Sequence, residues 1–243
     1  MAWIALLLIG FGVTDLVHSA RHRPLLPECV GAVAVIVVAL VAGLTGWRDI
    51  LAAIVIAVLT LAWGQCVTRG FGRNRPALPL ALLAVSLVAV IAWSPLAHDA
   101  GGPLQRWLDD TPLPLLRDLA ADHFLLVLGA TLMQMSTGNV LVRLVLSATH
   151  TISPMRYDAP SEPERELKGG RLLGPMERLV IFGLGLAGHL TAASVVIAAK
   201  GLLRFPELQS RRDQERIHLL TEYFLVGSFV SWLVALGGLL LVA

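Results

Sequence analysis

Charge is scarce in this sequence: Asp, Glu, Lys and Arg make up 15% of its 243 residues, against about 25% in an ordinary soluble domain. That excludes a water-soluble globular protein. With 56% hydrophobic residues and a mean hydropathy of +0.74, it also excludes a disordered chain. Two cysteines, Cys29 and Cys66, cannot build a disulfide framework or a CxxC site, and both are expected as buried free thiols. No sign of charge dominates, since 19 Lys+Arg against 17 Asp+Glu leave +2; nucleic acid is therefore not an expected partner. No basic residue precedes the first apolar stretch, Met1–Ala20, so a cleavable signal is not expected and the stretch reads as a retained first helix. Ser/His/Asp, HExxH, P-loop and paired-carboxylate signatures are absent too, which favours a non-enzymatic protein and gives no reason to expect a cofactor.

What is present is a series of long apolar runs. A bilayer core of roughly 30 Å needs about 20 mostly apolar helical residues, and seven segments qualify: Ala2–Ser19, Cys29–Trp47, Ile50–Thr68, Pro76–Ala97, Phe124–Val142, Leu179–Ala199 and Tyr223–Ala243. Ala/Leu/Val/Ile runs without strict alternation predict helices, not a barrel. The expected fold is thus an all-α polytopic membrane bundle. Its expected organisation is four helices in 1–97, an outer loop with an amphipathic helix in 98–122, a fifth span in 123–148, a polar loop in 149–174 and a C-terminal module in 175–243. The amphipathic helix is expected in PLPLLRDLAADHF, after its Pro-rich start.

Loop charge predicts sidedness. Arg21, Arg23, Arg69, Arg73 and Arg75 fall on the cytoplasmic side by the positive-inside rule, and the stretch 98–122, with five Asp against two Arg, falls outside. The N-terminus is then extracytoplasmic, in the inner membrane of a bacterium whose Ala/Leu/Val/Arg bias suggests GC-rich DNA. Simple alternation fails later, because 147–178 and 200–222 are both polar and basic and call for the same side. Either the sixth segment is re-entrant, broken near Gly188-His189, or it crosses plainly with Lys200 and Arg204 snorkelling.

Several residues in these segments are candidates for chemistry. Gly183-Leu-Gly185-Leu-Ala-Gly188 has the spacing of a dinucleotide fingerprint but lies inside an apolar helix with no preceding strand. Gly185, Gly188 and Ala192 are instead expected on one helix-packing face. His189 projects near the angle of Arg178, with Lys200 close by, making a polar stripe. Glu177 and Glu222 sit where they can pair with Arg143, Arg178 or Lys200 across helices, or simply anchor helix ends. Asp15, His18 and His22 fall within about 60° on one face, a weak pattern for a metal or a proton relay and an ordinary one for an interfacial anchor. Gly169-Gly170 and Pro175 are expected to open a helix whose first turns carry Glu177, and Arg204 and Pro206 to close one.

Three C-terminal stretches, taken together, resemble a family of bacterial membrane proteins known only as a domain of unknown function, family three-three-zero-seven. They are Gly169-Gly170-Arg171-Leu-Leu-Gly174-Pro-Met-Glu177-Arg178-Leu179, Ala198-Ala199-Lys200-Gly-Leu-Leu-Arg204-Phe205 and Glu222-Tyr223-Phe-Leu-Val-Gly227-Ser-Phe-Val-Ser231, with a fainter match at Gly138-Asn139-Val-Leu-Val-Arg143. The resemblance covers about 132–242 and does not extend to the first helix. It implies a membrane module built on Arg171, Glu177, Arg178, Lys200, Arg204 and Glu222, and brings no activity with it. The leading expectation is a charged intramembrane pocket of Arg143, Arg171, Glu177, Arg178, His189, Lys200, Arg204 and Glu222 for a small ion, a proton or a lipid headgroup, translocated or sensed. The second is an accessory subunit of a membrane complex, or a homo-oligomer, packed through its small-residue faces. A weaker third is an enzyme acting on lipid or isoprenoid substrates.

Overall fold

A computed structural model describes residues 1–20, 25–117, 119–149, 151, 170–209 and 214–243; within these the side chains of 115, 170–172, 200, 201, 203–209 and 214–220 are not described. The described residues are entirely helical or loop. In chain order the helices are α1 (Ala2–Ala20), α2 (Leu26–Val41), α3 (Trp47–Gly72), α4 (Ala77–Trp93), α5 (Gly102–Asp110), α6 (Pro114–Arg117), α7 (Ala121–Leu132), α8 (Gly138–Ala148), α9 (Gly170–Leu186), α10 (Leu190–Gln209) and α11 (Gln214–Val242). A π turn, Met133–Thr137, makes α7 and α8 one continuous rod. Five stretches are long and apolar enough to cross a membrane: Ala2–Ala20, Trp47–Gly72, Ala77–Leu96, Ala121–Ala148 and Thr221–Val242. Leu26–Val41 and Leu190–Ala199 are apolar but shorter.

α1 is apolar on every side and is the axis of the core, as a helix of that kind must be; Ala2 to Gly12 are all buried. Its neighbours approach through small residues. A Cβ at Gly31 of α2 would collide with Thr14, and one at Gly129 of α7 would lie 2.9 Å from the Leu8 side chain. Polar bonds fix direction. Trp3 Nε1 donates to Asp49 (2.9 Å) and Trp63 Nε1 to Asp15 (3.1 Å), so α3 runs parallel to α1. Ser136 Oγ donates to the Gly12 carbonyl at 2.7 Å, aligning the α7–α8 rod the same way.

Three helix ends share one device. After α2, α3 and α9 the chain passes through a left-handed residue, Gly43 (φ 71), Asn74 (φ 51) and Gly188 (φ 77). In each case the following N–H bonds back five residues: Leu44 to Ala39 (2.9 Å), Arg75 to Gly70 (2.9 Å) and His189 to Leu184 (2.8 Å). This is the Schellman closure, and it satisfies the last carbonyls of each helix.

Several expectations are corrected. The stretch Leu179–Ala199 is not one helix, because the Schellman closure at Gly188 divides it between α9 and α10. Gly188 therefore serves as a terminator and not as part of a packing face; Gly185 does pack, against Leu239, and a Cβ at Gly183 would meet nothing. The amphipathic helix lies earlier than expected, at α5, and the later stretch holds only the single turn α6, which Pro114 opens. Gln105 of α5 holds the start of α7 by accepting from the Ala121 N–H at 2.8 Å. Pro175 lies inside α9 and Pro206 inside α10, so neither marks a helix boundary. Cys29 is exposed and Cys66 half-buried, on outward faces.

Candidate functional site

The longest buried polar side chain is that of Arg178, 1% exposed in the middle of α9. Its Nε donates to the Gln134 carbonyl (2.9 Å), one terminal nitrogen to Asn139 Oδ1 (2.7 Å) and the other to Ser231 Oγ (3.1 Å). The guanidinium thus joins the π turn, α8 and α11. Two of these contacts follow from local sequence. In the π turn the Gly138 N–H bonds back to Met133 instead of Gln134, which frees the Gln134 carbonyl from its usual helical donor, and Arg178 takes that place. Gly138 supplies the room, since a Cβ there would stand 2.6 Å from Arg178 Nε.

Glu177 is buried on the adjacent face, where Trp232 Nε1 of α11 donates to its Oε1 at 2.9 Å. It lies eight residues into α9, not in the first turn, so tertiary contact and not the helix dipole holds it. Among the described residues the acceptors of Arg178 are all neutral, with Glu177 beside it as the nearby negative charge. Gln134 and Thr137, both 0% exposed, lie on the same π turn and each has a side-chain oxygen without a partner, Gln134 Oε1 and Thr137 Oγ1. Gln134 Nε2 reaches across to the Val234 carbonyl at 3.2 Å, over Gly238 of α11.

The remaining candidates are dispersed. Arg143 is half-buried on α8 with its guanidinium over the Phe71 ring, 5.3 Å from the centroid. His189 is exposed at the turn between α9 and α10, and Glu222 is exposed on α11, accepting from Thr151 Oγ1 at 3.2 Å. Glu222 is nine residues from Ser231, about 14 Å along the helix. The single pocket expected from sequence therefore reduces, among the described side chains, to Glu177 and Arg178. Arg171, Lys200 and Arg204 lie on described helices, but their side chains fall outside the described residues.

Asp15 is buried and bound at both oxygens by Trp63 Nε1 (3.2 and 3.1 Å), His18 is half-buried, and His22 lies outside the described residues. Among the described residues no group of three His, Cys, Asp or Glu is placed to hold a metal ion. Sequence reasoning missed Gln134, Thr137 and Trp232. The one signal for the first two was a polar run, Gln134-Met-Ser-Thr137, in the middle of an apolar segment.

Of the residues in the stretches that carry the family resemblance, Gly138, Asn139 and Ser231 surround Arg178, whereas Arg143 and Glu222 lie elsewhere. No family model, curated protein or solved structure matches the chain. Fold and site together define, over the described residues, a helical bundle compatible with a multi-pass membrane protein, with a buried guanidinium held between the π turn, α8 and α11.

Proposed function

We propose that this is a multi-pass protein of the bacterial cytoplasmic membrane, not an enzyme, which holds a small anionic group at Arg178 to translocate or sense it. The group is a free anion or part of a lipid headgroup. The observation that carries this reading is a fully buried guanidinium whose acceptors are all neutral. Such a cation keeps its charge, low dielectric makes that charge costly, and Glu177 beside it supplies attraction but none of its hydrogen-bond acceptors. Three of its five N–H donors are spent on the protein, which leaves two for a ligand. Separation of α9 from the π turn would open the site, and a wide turn is where a helix yields most readily.

The same reading resolves the loop charges. Arg178 lies beside Ser231 and Gly185 beside Leu239, so α9 and α11 run in one direction, and this supports a reading in which α10 runs against them. In this reading α9 and α10 form a hairpin in the membrane, and both basic stretches flanking it return to the cytoplasmic face. Arg69, Arg73 and Arg75 share that face, and the N-terminus is extracytoplasmic.

Thermal unfolding in detergent tests the site. Melting temperature is expected to rise with added inorganic phosphate if the ligand is free, or with phosphatidylglycerol over phosphatidylcholine if it is a headgroup. Arg178→Lys, which keeps charge and loses the planar fork, is expected to weaken the response. A wild-type protein indifferent to both, or a variant that responds equally, would overturn the reading.

A further inference from the structure

Glu28 stands at the third position of α2, after Leu25 at the cap and Pro27 in the first turn. A glutamate there commonly turns back to the cap N–H. Here it turns into the bundle instead. Glu28 is 3% exposed, its Oε1 accepts from Gln65 Nε2 of α3 at 3.0 Å, and its side chain lies across Gly64, where a Cβ would collide with Glu28 Cγ. Its Oε2 is buried and has no hydrogen-bond partner. Gly64 also adjoins Trp63, which holds Asp15 of α1 and stacks on Phe11 with centroids 4.9 Å apart. Residues 63–65 of α3 therefore hold two buried carboxylates, one from α1 and one from α2.

Trp63 reaches both oxygens of Asp15, whereas Gln65 reaches only one of Glu28, and among the described residues no basic side chain bonds to Glu28. The positive end of α2 offers roughly half an elementary charge, which does not replace the missing donor at Oε2. A carboxylate oxygen in apolar surroundings is tolerated only when its charge is met. A single positive charge cancels it, and Asp15, both of whose oxygens are taken by Trp63, is not placed to share a divalent ion.

We propose that Glu28 binds a monovalent cation, a proton or sodium, at the junction of α1, α2 and α3. This site is separate from Arg178 and does not depend on the reading of that residue. Gly64 makes the space, Gln65 fixes one oxygen, and the other faces the ligand.

The test uses the intact chain in detergent, labelled with dicyclohexylcarbodiimide, an apolar reagent for protonated carboxyl groups, and read by mass spectrometry of the Glu28 peptide. Labelling is followed over a pH series in sodium chloride or choline chloride. If the ligand is a proton, Glu28 is labelled alike in both salts, and labelling falls about tenfold per pH unit once the proton is lost. If it is sodium, labelling is slower in sodium than in choline. Glu28→Gln keeps the shape and the neighbour at Gln65, so it should fold, lose this labelling, and lose the dependence of melting temperature on sodium or pH while keeping the anion response of Arg178. No labelling in any condition, with a melting temperature equally insensitive in wild type and Glu28→Gln, overturns the proposal.

Discussion

A buried guanidinium can be held in place only if the surrounding backbone makes room for its plane, and here a glycine does so. At Gly138 an added methyl group would stand 2.6 Å from Arg178 Nε, inside any acceptable contact. Gly138→Ala should therefore cost about 1–3 kcal/mol, the usual range for overpacking. Arg178→Lys removes the Nε that is crowded, so in a double-variant cycle by thermal unfolding the combined loss should be smaller than the sum of the single losses. Strict additivity would mean that the two residues do not press on each other. At this scale the sequence exposes the charged partner far better than the neutral ones. Glu177 and Arg178 stand out as charges next to an apolar run, whereas Asn139, Ser231 and a freed carbonyl at Gln134 gain meaning only from three helices meeting. Glu28 was hidden for another reason: it adjoins the start of an apolar run, where a carboxylate reads as a helix flank.

Helix ends and interruptions decide the elements, and one short motif shows how differently three glycines act. Gly183 faces open space, Gly185 faces Leu239, and Gly188 holds φ 77 in the turn after α9. Gly183→Ala should raise stability by up to about 1 kcal/mol through helix propensity. Gly188→Ala should lower it by about 1–2 kcal/mol, because a Cβ disfavours the left-handed conformation. Thermal unfolding of the two variants side by side checks this; shifts of the same sign would contradict the placement of the turn. Loop charge raised a break near Gly188-His189 as one of two readings, but periodicity could not choose between them, since Gly is compatible with a packing face and with a terminator alike. The π turn was illegible, because a run of Met, Gln, Ser and Thr has no period of its own. In the outer segment Pro114 does open a helix, but it is a single turn, and the amphipathic helix is the preceding α5.

At the scale of the whole molecule, helix direction is the quantity that sequence could not supply, and it sets the topology. Apolar length made a helical bundle legible, and five of the seven expected stretches have that length, while Leu26–Val41 and Leu190–Ala199 fall short of it. Loop charge posed a contradiction that hydropathy alone could not settle, because the segment 179–199 is long enough for one span and short enough to hide a turn. The contacts of Arg178 and Gly185 give α9 and α11 the same direction, and under the proposed reading α10 returns between them. If these helices lie in a membrane as proposed, the end of α8 at Thr149 and the end of α10 at Gln209 share a face, that face also carries Asn74, and Asp109 lies on the opposite one. Single cysteines at Thr149, Gln209, Asn74 and Asp109, introduced after Cys29 and Cys66 are replaced by Ala, should then divide three to one. The first three should react with a membrane-impermeant maleimide only in inverted vesicles, and Asp109→Cys only in right-side-out spheroplasts. Labelling of Gln209→Cys from the side of Asp109→Cys would remove the hairpin and return α9–α10 to a single crossing, while leaving the contacts of Arg178 as they are. Reversal of all four together would keep the hairpin and invert only the orientation inferred from Arg69, Arg73 and Arg75.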